Sequence, residues 1–175
     1  MKCSVFIGCS IDGFIARPDG KLDFLDLVAD EKSDHGYGAF SKTTDVMVMG
    51  RATYDVVMGL VTEWPWPGKR VVVLTHRPLK PRADETTFHG TPQQIVAHLE
   101  QLGCTHAYID GGKVVSAFLD ADLIDSMILS IVPVRLGAGI PLFNPGAERK
   151  FSLVRVEAFP KGLAQLEYRR ERALS

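Results

Sequence analysis

Cysteine is scarce in this chain and poorly placed for pairing. Cys3, Cys9 and Cys104 are odd in number and form no CxxC. That argues against a disulfide framework and for a reducing cytoplasm. An excess of charge of one sign is also lacking. The formal net charge is -1, so no overall field draws in nucleic acid or an anionic membrane. No apolar run approaches the ~20 residues of a membrane-spanning helix. The opening MKCSVFIGCSIDG reads as a strand and lacks a signal peptide's long apolar segment and cleavage site.

Several chemistries are missing their signatures. The histidines at 35, 76, 89, 98 and 106 show no metal-ligand spacing. His98-Leu99-Glu100 is an HxE, but no PCxxC follows, so a zinc deaminase is not supported. There is no GxSxG elbow and no GxGxxG. Gly112-Lys113 is not a Walker A end, because Val114 stands where Ser or Thr is needed. Trp64 and Trp66 sit among prolines with no basic patch, and read as a packed loop or pocket rim rather than a stacking platform. No repeat, low-complexity tract or linker interrupts the 175 residues, and 46% apolar and 23% charged residues suit one soluble domain over 1–175.

What is present is an alternation of short apolar runs with helical patterns. Strands are expected at 3–8, 45–49, 70–75, 106–110 and 123–134. Helices are expected at 34–43, 51–60 (with Gly59 as a possible end), 92–102 and 111–121. Thr91 as N-cap and Pro92 at the first helical position mark the start of the third of these. LGAGIPLF reads as a glycine-rich connection. Two tail strands, 151–159 and 163–171, flank a Pro160-Lys161-Gly162 turn. The pattern predicts an α/β fold, a largely parallel sheet covered on both faces with an antiparallel edge.

Three features fall at carboxyl ends of predicted strands, where open α/β sheets bind ligands. VMVMGRATYDVV (46–57) ends a strand in Gly50 and turns at once into a helix. Such a helix start attracts phosphate, Arg51 adds a planar fork, and Thr53 adds a hydroxyl. AYIDGGKVVSAF (107–118) repeats the plan with Gly111-Gly112, which allows a tight turn against a pyrophosphate. After RVVVL come Thr75, His76 and Arg77, a set able to hold a ribose 2′-phosphate. Each alone also fits an ordinary loop. Their coincidence is the stronger signal.

The motifs SIDGFIA (10–16), VMGRATY (48–54), PGKRVVVLT (67–75), YIDGGKVV (108–115) and VPVRLGAGIPLF (132–143) resemble, in order, those of the dihydrofolate reductase-like superfamily. The resemblance is nearest to the branch with the reductase domain of riboflavin biosynthesis, the bifunctional deaminase-reductase C-terminal domain. It implies a three-layer fold with a mixed, mostly parallel sheet of about eight strands flanked by helices. It also implies an NADPH site. Gly50, Arg51 and Thr53 match the phosphate-contacting Gly-Arg-x-Thr. Leu74, Thr75, His76 and Arg77 match the 2′-phosphate segment, and Gly111, Gly112, Val114 and Val115 the turn under pyrophosphate and nicotinamide. Gly8 and Ile15 match the nicotinamide pocket.

Departures concern the substrate. Counting back from Gly50 places Asp34 at the superfamily's first-helix carboxylate, whereas matching on Phe40 places Gly36 there. Lys69 replaces the arginine that holds a folate tail, and GLVTEWPWP replaces the riboflavin reductases' Asp-Asn-Pro segment. The expected protein is a cytoplasmic NADPH-dependent reductase that passes hydride from the nicotinamide to a C=N or C=O carbon of a small heterocyclic or sugar-linked substrate. Asp34 is the candidate proton donor, and Phe24, Tyr37 and Phe40 are candidates for the substrate pocket. The alternatives are a dihydrofolate reductase proper and an NADP-binding protein without turnover. A homodimer is expected, with no metal.

Overall fold

A computed structural model describes residues 1–171. Its strands are β1 (Lys2–Ser10), β2 (Phe14–Ala16), β3 (Val46–Gly50), β4 (Arg70–Leu74), β5 (Thr86–Phe88), β6 (His106–Asp110), β7 (Ser126–Val132), β8 (Ile140–Pro141), β9 (Phe151–Ala158) and β10 (Ala164–Arg170). Its helices are α1 (Tyr37–Lys42), α2 (Arg51–Leu60), α3 (Pro92–Gln101) and α4 (Gly112–Asp120), with a 3-10 turn over Asp23–Val28. Eight strands form one sheet in the order β5-β4-β3-β6-β1-β7-β10-β9, and β2 and β8 form a separate ribbon. All pairs from β5 to β7 are parallel. The β7-β10 and β10-β9 pairs are antiparallel, as the two tail strands predict.

The central strands are short and apolar because both faces are covered. Val46, Met47, Val48 and Met49 are all buried. Ile95 and Leu99 of α3 and Val115 and Phe118 of α4 pack with Val5, Val48 and Ile109 on one face. Phe40 of α1 and Tyr54 of α2 pack with Met47, Met49 and Tyr108 on the other. This is the predicted α/β/α layering. α3 starts where Thr91 predicts. The Thr91 side chain accepts from Gln94 N–H at 3.2 Å, and Thr91 N–H donates to Gln94 Oε1 at 2.8 Å.

Boundaries differ where local chemistry intervenes. α1 begins at Tyr37, not 34, because Gly36 sits at φ 84 and interrupts the helix. β7 stops at Val132, before Pro133, which has no N–H for the ladder. α2 passes through Gly59 and ends with Val61 extended. β2, β5, β8 and the Asp23–Val28 turn are additions that the sequence reading lacks. Segments of two to six residues carry too little periodicity to announce themselves.

Candidate cofactor site and active site

Parallel strands bring Gly8, Gly50, Leu74 and Asp110 to one rim of the sheet, each at or near a carboxyl end. Two helices start there. α2 follows Gly50 directly and α4 follows Gly111, and neither N-cap residue has a side chain to cap with. Their first-turn N–H groups are therefore left for another partner. The two starts touch. A Cβ on Gly50 would lie 3.2 Å from Val114 Cγ2. A Cβ on Gly111, which sits at φ 92, would collide with Thr53 Oγ1. Only glycine satisfies both the backbone angle and the approach at position 111. Gly50, Thr53, Gly111 and Val114 thus form one cradle.

Arg51 extends the cradle sideways. Its Nε donates to Asp55 at 2.7 Å and its Nη1 to the Pro78 carbonyl at 3.0 Å. The guanidinium is thereby fixed between the α2 start and the loop after β4. In that loop the Thr75 hydroxyl accepts from Arg77 N–H at 3.0 Å and donates to the Arg77 carbonyl at 3.2 Å. The hydroxyl builds the turn and is not free for a ligand, but the turn presents His76 and Arg77 to solvent. His89, just past β5, stacks edge-on against His76 with ring centroids 3.9 Å apart. Sequence reading missed His89, because the short β5 that delivers it has no pattern of its own.

SIDGFIA and LGAGIPLF clasp each other. Asp12 accepts from the Ser10 hydroxyl at 2.6 Å, Leu136 N–H at 3.0 Å and Gly137 N–H at 2.7 Å. These bonds hold its carboxyl down at a pKa of about 2. Leu142 N–H donates to the Gly13 carbonyl at 2.8 Å. The resulting β2-β8 ribbon lies over the start of α4: a Cβ on Gly112 would be 2.6 Å from the Pro141 carbonyl and 3.2 Å from Ile15 Cδ1. Ile15 and Gly112 are therefore neighbours, as a shared pocket requires. Gly8 faces Leu25 of the 3-10 turn, whose Cδ2 would be 3.0 Å from a Cβ there.

Three candidates lie away from the roles expected of them, and the lysine in the folate-tail place has a structural one. Val115 is fully buried, and its N–H is bonded to the Gly111 carbonyl, so it has neither side chain nor amide to offer. Phe24 is buried with Val28, Val132 and Leu163, apart from Tyr37 and Phe40. Asp34 is an exposed cap: its two oxygens accept N–H from Gly36 at 2.9 Å and Gly38 at 2.7 Å. Those bonds lower its pKa and hold it ionised, the opposite of a proton donor. Lys69 is structural. Its Nζ donates to the Ser41 carbonyl at 2.6 Å and the Thr44 carbonyl at 2.7 Å, closing the end of α1, and burial lowers its pKa.

Another carboxyl has the right character. Asp110 ends β6 and accepts from Gly111 N–H at 2.8 Å. Burial pushes its pKa up to about 6. It shares the strand face of Tyr108, which belongs to an aromatic cluster with Tyr37, Phe6 and Phe40. Tyr108 O–H donates to the Phe6 carbonyl at 2.7 Å. Tyr37 and Phe6 are half-buried and Phe40 is buried, so Tyr37 is the ring best placed to meet a ligand. Sequence reading missed Asp110 as an acid because burial depends on strands far away in sequence.

Comparison with known proteins now decides the family. The model of the RibD C-terminal domain matches residues 2–165. The chain belongs to the RibD C-terminal domain family. Within the curated proteins it is 36% identical to the uncharacterised protein YwjB of Bacillus subtilis (strain 168), over 95% of this chain and 97% of that one. A crystal structure from Shewanella sp. PV-4, provisionally assigned to riboflavin biosynthesis, superposes with a TM-score of 0.93 at 36% identity, covering 98% and 100% of the two chains. An Enterococcus faecalis dihydrofolate reductase solved with NADP(H) superposes with a TM-score of 0.69 at 17% identity, covering 98% of this chain and 97% of that one. The dihydrofolate reductase-like fold is thus shared across both groups. A RibD C-terminal domain points to an oxidoreductase in general. Among the described residues no helix is long and apolar enough to cross a membrane.

Proposed function

We propose that this chain is an NADPH-dependent reductase that delivers hydride to a C=N or C=O carbon of a small heterocyclic or sugar-linked substrate. The observation that carries the reading is the pair of uncapped helix starts in contact through Gly50, Thr53, Gly111 and Val114. Two sets of unsatisfied N–H groups with Arg51 beside them suit the adjacent phosphates of a dinucleotide. Two structures of like fold are consistent with this reading: a Thermotoga maritima protein named a diaminohydroxyphosphoribosylaminopyrimidine deaminase/5-amino-6-(5-phosphoribosylamino)uracil reductase, of which this chain spans 56% at 16% identity, and the Enterococcus dihydrofolate reductase, which holds NADP(H).

In this reading the first-turn amides of α2 and α4, with Arg51 and Thr53, hold the pyrophosphate. His76, Arg77 and His89 face the 2′-phosphate, with Leu74 beneath the adenosine. Gly8, Ile15 and Gly112 border the nicotinamide pocket, with Gly112 packed against Ile15 and the Pro141 carbonyl. Bound NADPH supplies the hydride. The chain's own contribution is position and a proton. Tyr37, backed by Phe6 and Tyr108, gives a flat apolar wall for a heterocycle. Asp110 replaces Asp34 as the acid. Its pKa of about 6 leaves about a tenth of it protonated at neutral pH, enough to pass a proton to the substrate nitrogen or oxygen as hydride reaches carbon. Dihydrofolate is a poor candidate, since Lys69 is committed to the end of α1.

The test is nicotinamide absorbance on mixing protein and NADPH with sugar-linked aminouracils, pteridines and dihydrofolate. The expected result is oxidation with the first class, lost or slowed by an order of magnitude or more in Asp110→Asn. Binding of NADPH without oxidation by any of these classes would refute the reductase reading and leave a nucleotide-binding protein.

A further inference from the structure

The segment that joins β4 to β5 hides one acid. Pro81, Arg82, Ala83, Asp84, Thr86 and Thr87 are exposed, whereas Glu85 is 5% exposed. An ionised carboxylate is costly to bury unless donors surround it. Glu85 has three. The Tyr54 O–H of α2 donates to its Oε1. Arg82 N–H donates to Oε1 at 2.6 Å and Ala83 N–H to Oε2 at 2.9 Å. Burial alone would raise the pKa of Glu85, but these bonds outweigh it and lower the pKa, so the group stays ionised. Tyr54 is itself buried, so the bond that joins the two elements is shielded from water.

Two more ties run between the same elements. At the first turn of α2, Arg51 Nη1 donates to the Pro78 carbonyl at 3.0 Å. At its far end, Arg82 Nη1 donates to the Met58 carbonyl at 2.8 Å and Nη2 to the Thr62 carbonyl at 3.2 Å. The segment 78–85 is thus fastened along the whole length of α2. The Arg82 tie is exposed, and water replaces an exposed bond at little cost. The tie between Tyr54 and Glu85 is the buried one. A buried charge that loses a donor is left without a substitute, so this is the tie whose loss frees the segment.

What the tie holds in place lies on either side of it in the chain. His76 and Arg77 come just before the fastened segment, and β5 begins at Thr86, directly after Glu85. β5 is 3 residues long and delivers His89 to His76. We infer that Glu85, gripped by Tyr54, is a positioning residue that fixes His76, Arg77 and His89 at a set distance from the phosphate cradle at the start of α2. The inference rests on the cofactor reading above. The pyrophosphate and the 2′-phosphate belong to one molecule. Once the first is seated on the helix starts, the second is met only if the loop already stands where it falls. A loop that samples other positions lowers affinity by the fraction of time it is misplaced. NADH lacks the 2′-phosphate and is indifferent to the loop. The grip therefore favours NADPH over NADH without touching either.

The test is the binding of NADPH and of NADH to wild type, Tyr54→Phe and Glu85→Gln, together with amide hydrogen exchange of the three unliganded proteins. Tyr54→Phe keeps the buried ring and removes only the hydroxyl. Glu85→Gln keeps the length and sets an NH2 against one of the three donors. Each is expected to weaken NADPH about tenfold and to leave NADH unchanged. The Arg82 and Ala83 amides, protected in wild type, should exchange faster in both variants. Lys69→Ala, which loosens α1 instead, is the control for a general loss of stability, and it should keep the wild-type preference for NADPH. Folded Tyr54→Phe and Glu85→Gln that keep that preference would overturn the inference. So would Arg82 and Ala83 amides that exchange as fast in wild type as in the variants. A wild type that binds neither nucleotide would refute the cofactor reading and this inference with it, even where the two amides are protected.

Discussion

Replacing Gly111 by alanine should damage fold and site together, by an amount that the local geometry sets. Gly111 sits at φ 92 and ψ 131, a conformation outside the regions open to alanine. Holding a non-glycine residue there costs roughly 1–3 kcal/mol. The new Cβ would also collide with Thr53 Oγ1, and overpacking of this kind costs about 1–3 kcal/mol. A total loss of about 2–6 kcal/mol is expected, a drop in melting temperature of about 4–24 °C for a chain of this length. The two contributions can be separated. Thr53→Ala removes the hydroxyl and leaves its Cβ at 3.4 Å, an ordinary contact. In the double variant the steric part should vanish and the backbone part remain. Equilibrium urea unfolding of wild type, both single variants and the double variant gives the coupling directly, and it should be about 1–3 kcal/mol in favour of the pair. A Gly111→Ala loss below roughly 0.5 kcal/mol, within the ordinary range for surface changes, or strictly additive variants, would refute the contact between the two helix starts.

Asp110 should make stability depend on pH. Its carboxyl titrates near 6 in the fold against 3.8 without burial. The native state therefore keeps a proton that the unfolded chain has lost, and this stabilisation is fullest below about pH 4 and disappears as pH rises through about 6. A gap of that size is worth up to about 3 kcal/mol, so in urea titrations Asp110→Asn should gain on wild type as pH rises from 4 to 7. No change in the difference between the two across that range would contradict a carboxyl whose proton the fold holds more tightly. Lys69→Ala should lose about 1–3 kcal/mol of stability by leaving the carbonyls at the end of α1 without their donor. Its affinity for NADPH should stay at the wild-type value, and a loss of cofactor binding in a folded Lys69→Ala would place the lysine in the site instead.

The parts of the molecule legible in the sequence are those whose cause is local. β3, β4 and β6 show as unbroken apolar runs because they are buried on both faces. α3 shows because Thr91, Pro92 and Gln94 carry its capping chemistry. The Gly50-Arg51 and Gly111-Gly112 turns show because glycine at a strand end has few other uses. What did not show depends on distant partners. Asp34 and Asp110 are both strand- or helix-end aspartates in the sequence. Only the turn at Gly36 makes the first a cap, and only the packing of β6 among its neighbours makes the second a half-buried acid with a raised pKa. Val115 and Phe24 fit a motif or a pocket equally well, until the packing of α4 and of the Asp23–Val28 turn assigns them to the core. The β2-β8 ribbon joins two segments more than a hundred residues apart and no periodicity announces it.

The central claim is that the touching starts of α2 and α4, with Arg51, hold a phosphorylated dinucleotide. Its most direct measurement is a tryptophan fluorescence titration of the folded protein with NADPH and with NADH, repeated on Arg51→Ala. Loss of a charge-assisted hydrogen bond of about 1.5–3 kcal/mol predicts weaker binding by about one to two orders of magnitude, on top of a clear preference of the wild type for NADPH. Failure of either nucleotide to bind, or equal binding that the substitution leaves untouched, would contradict the account.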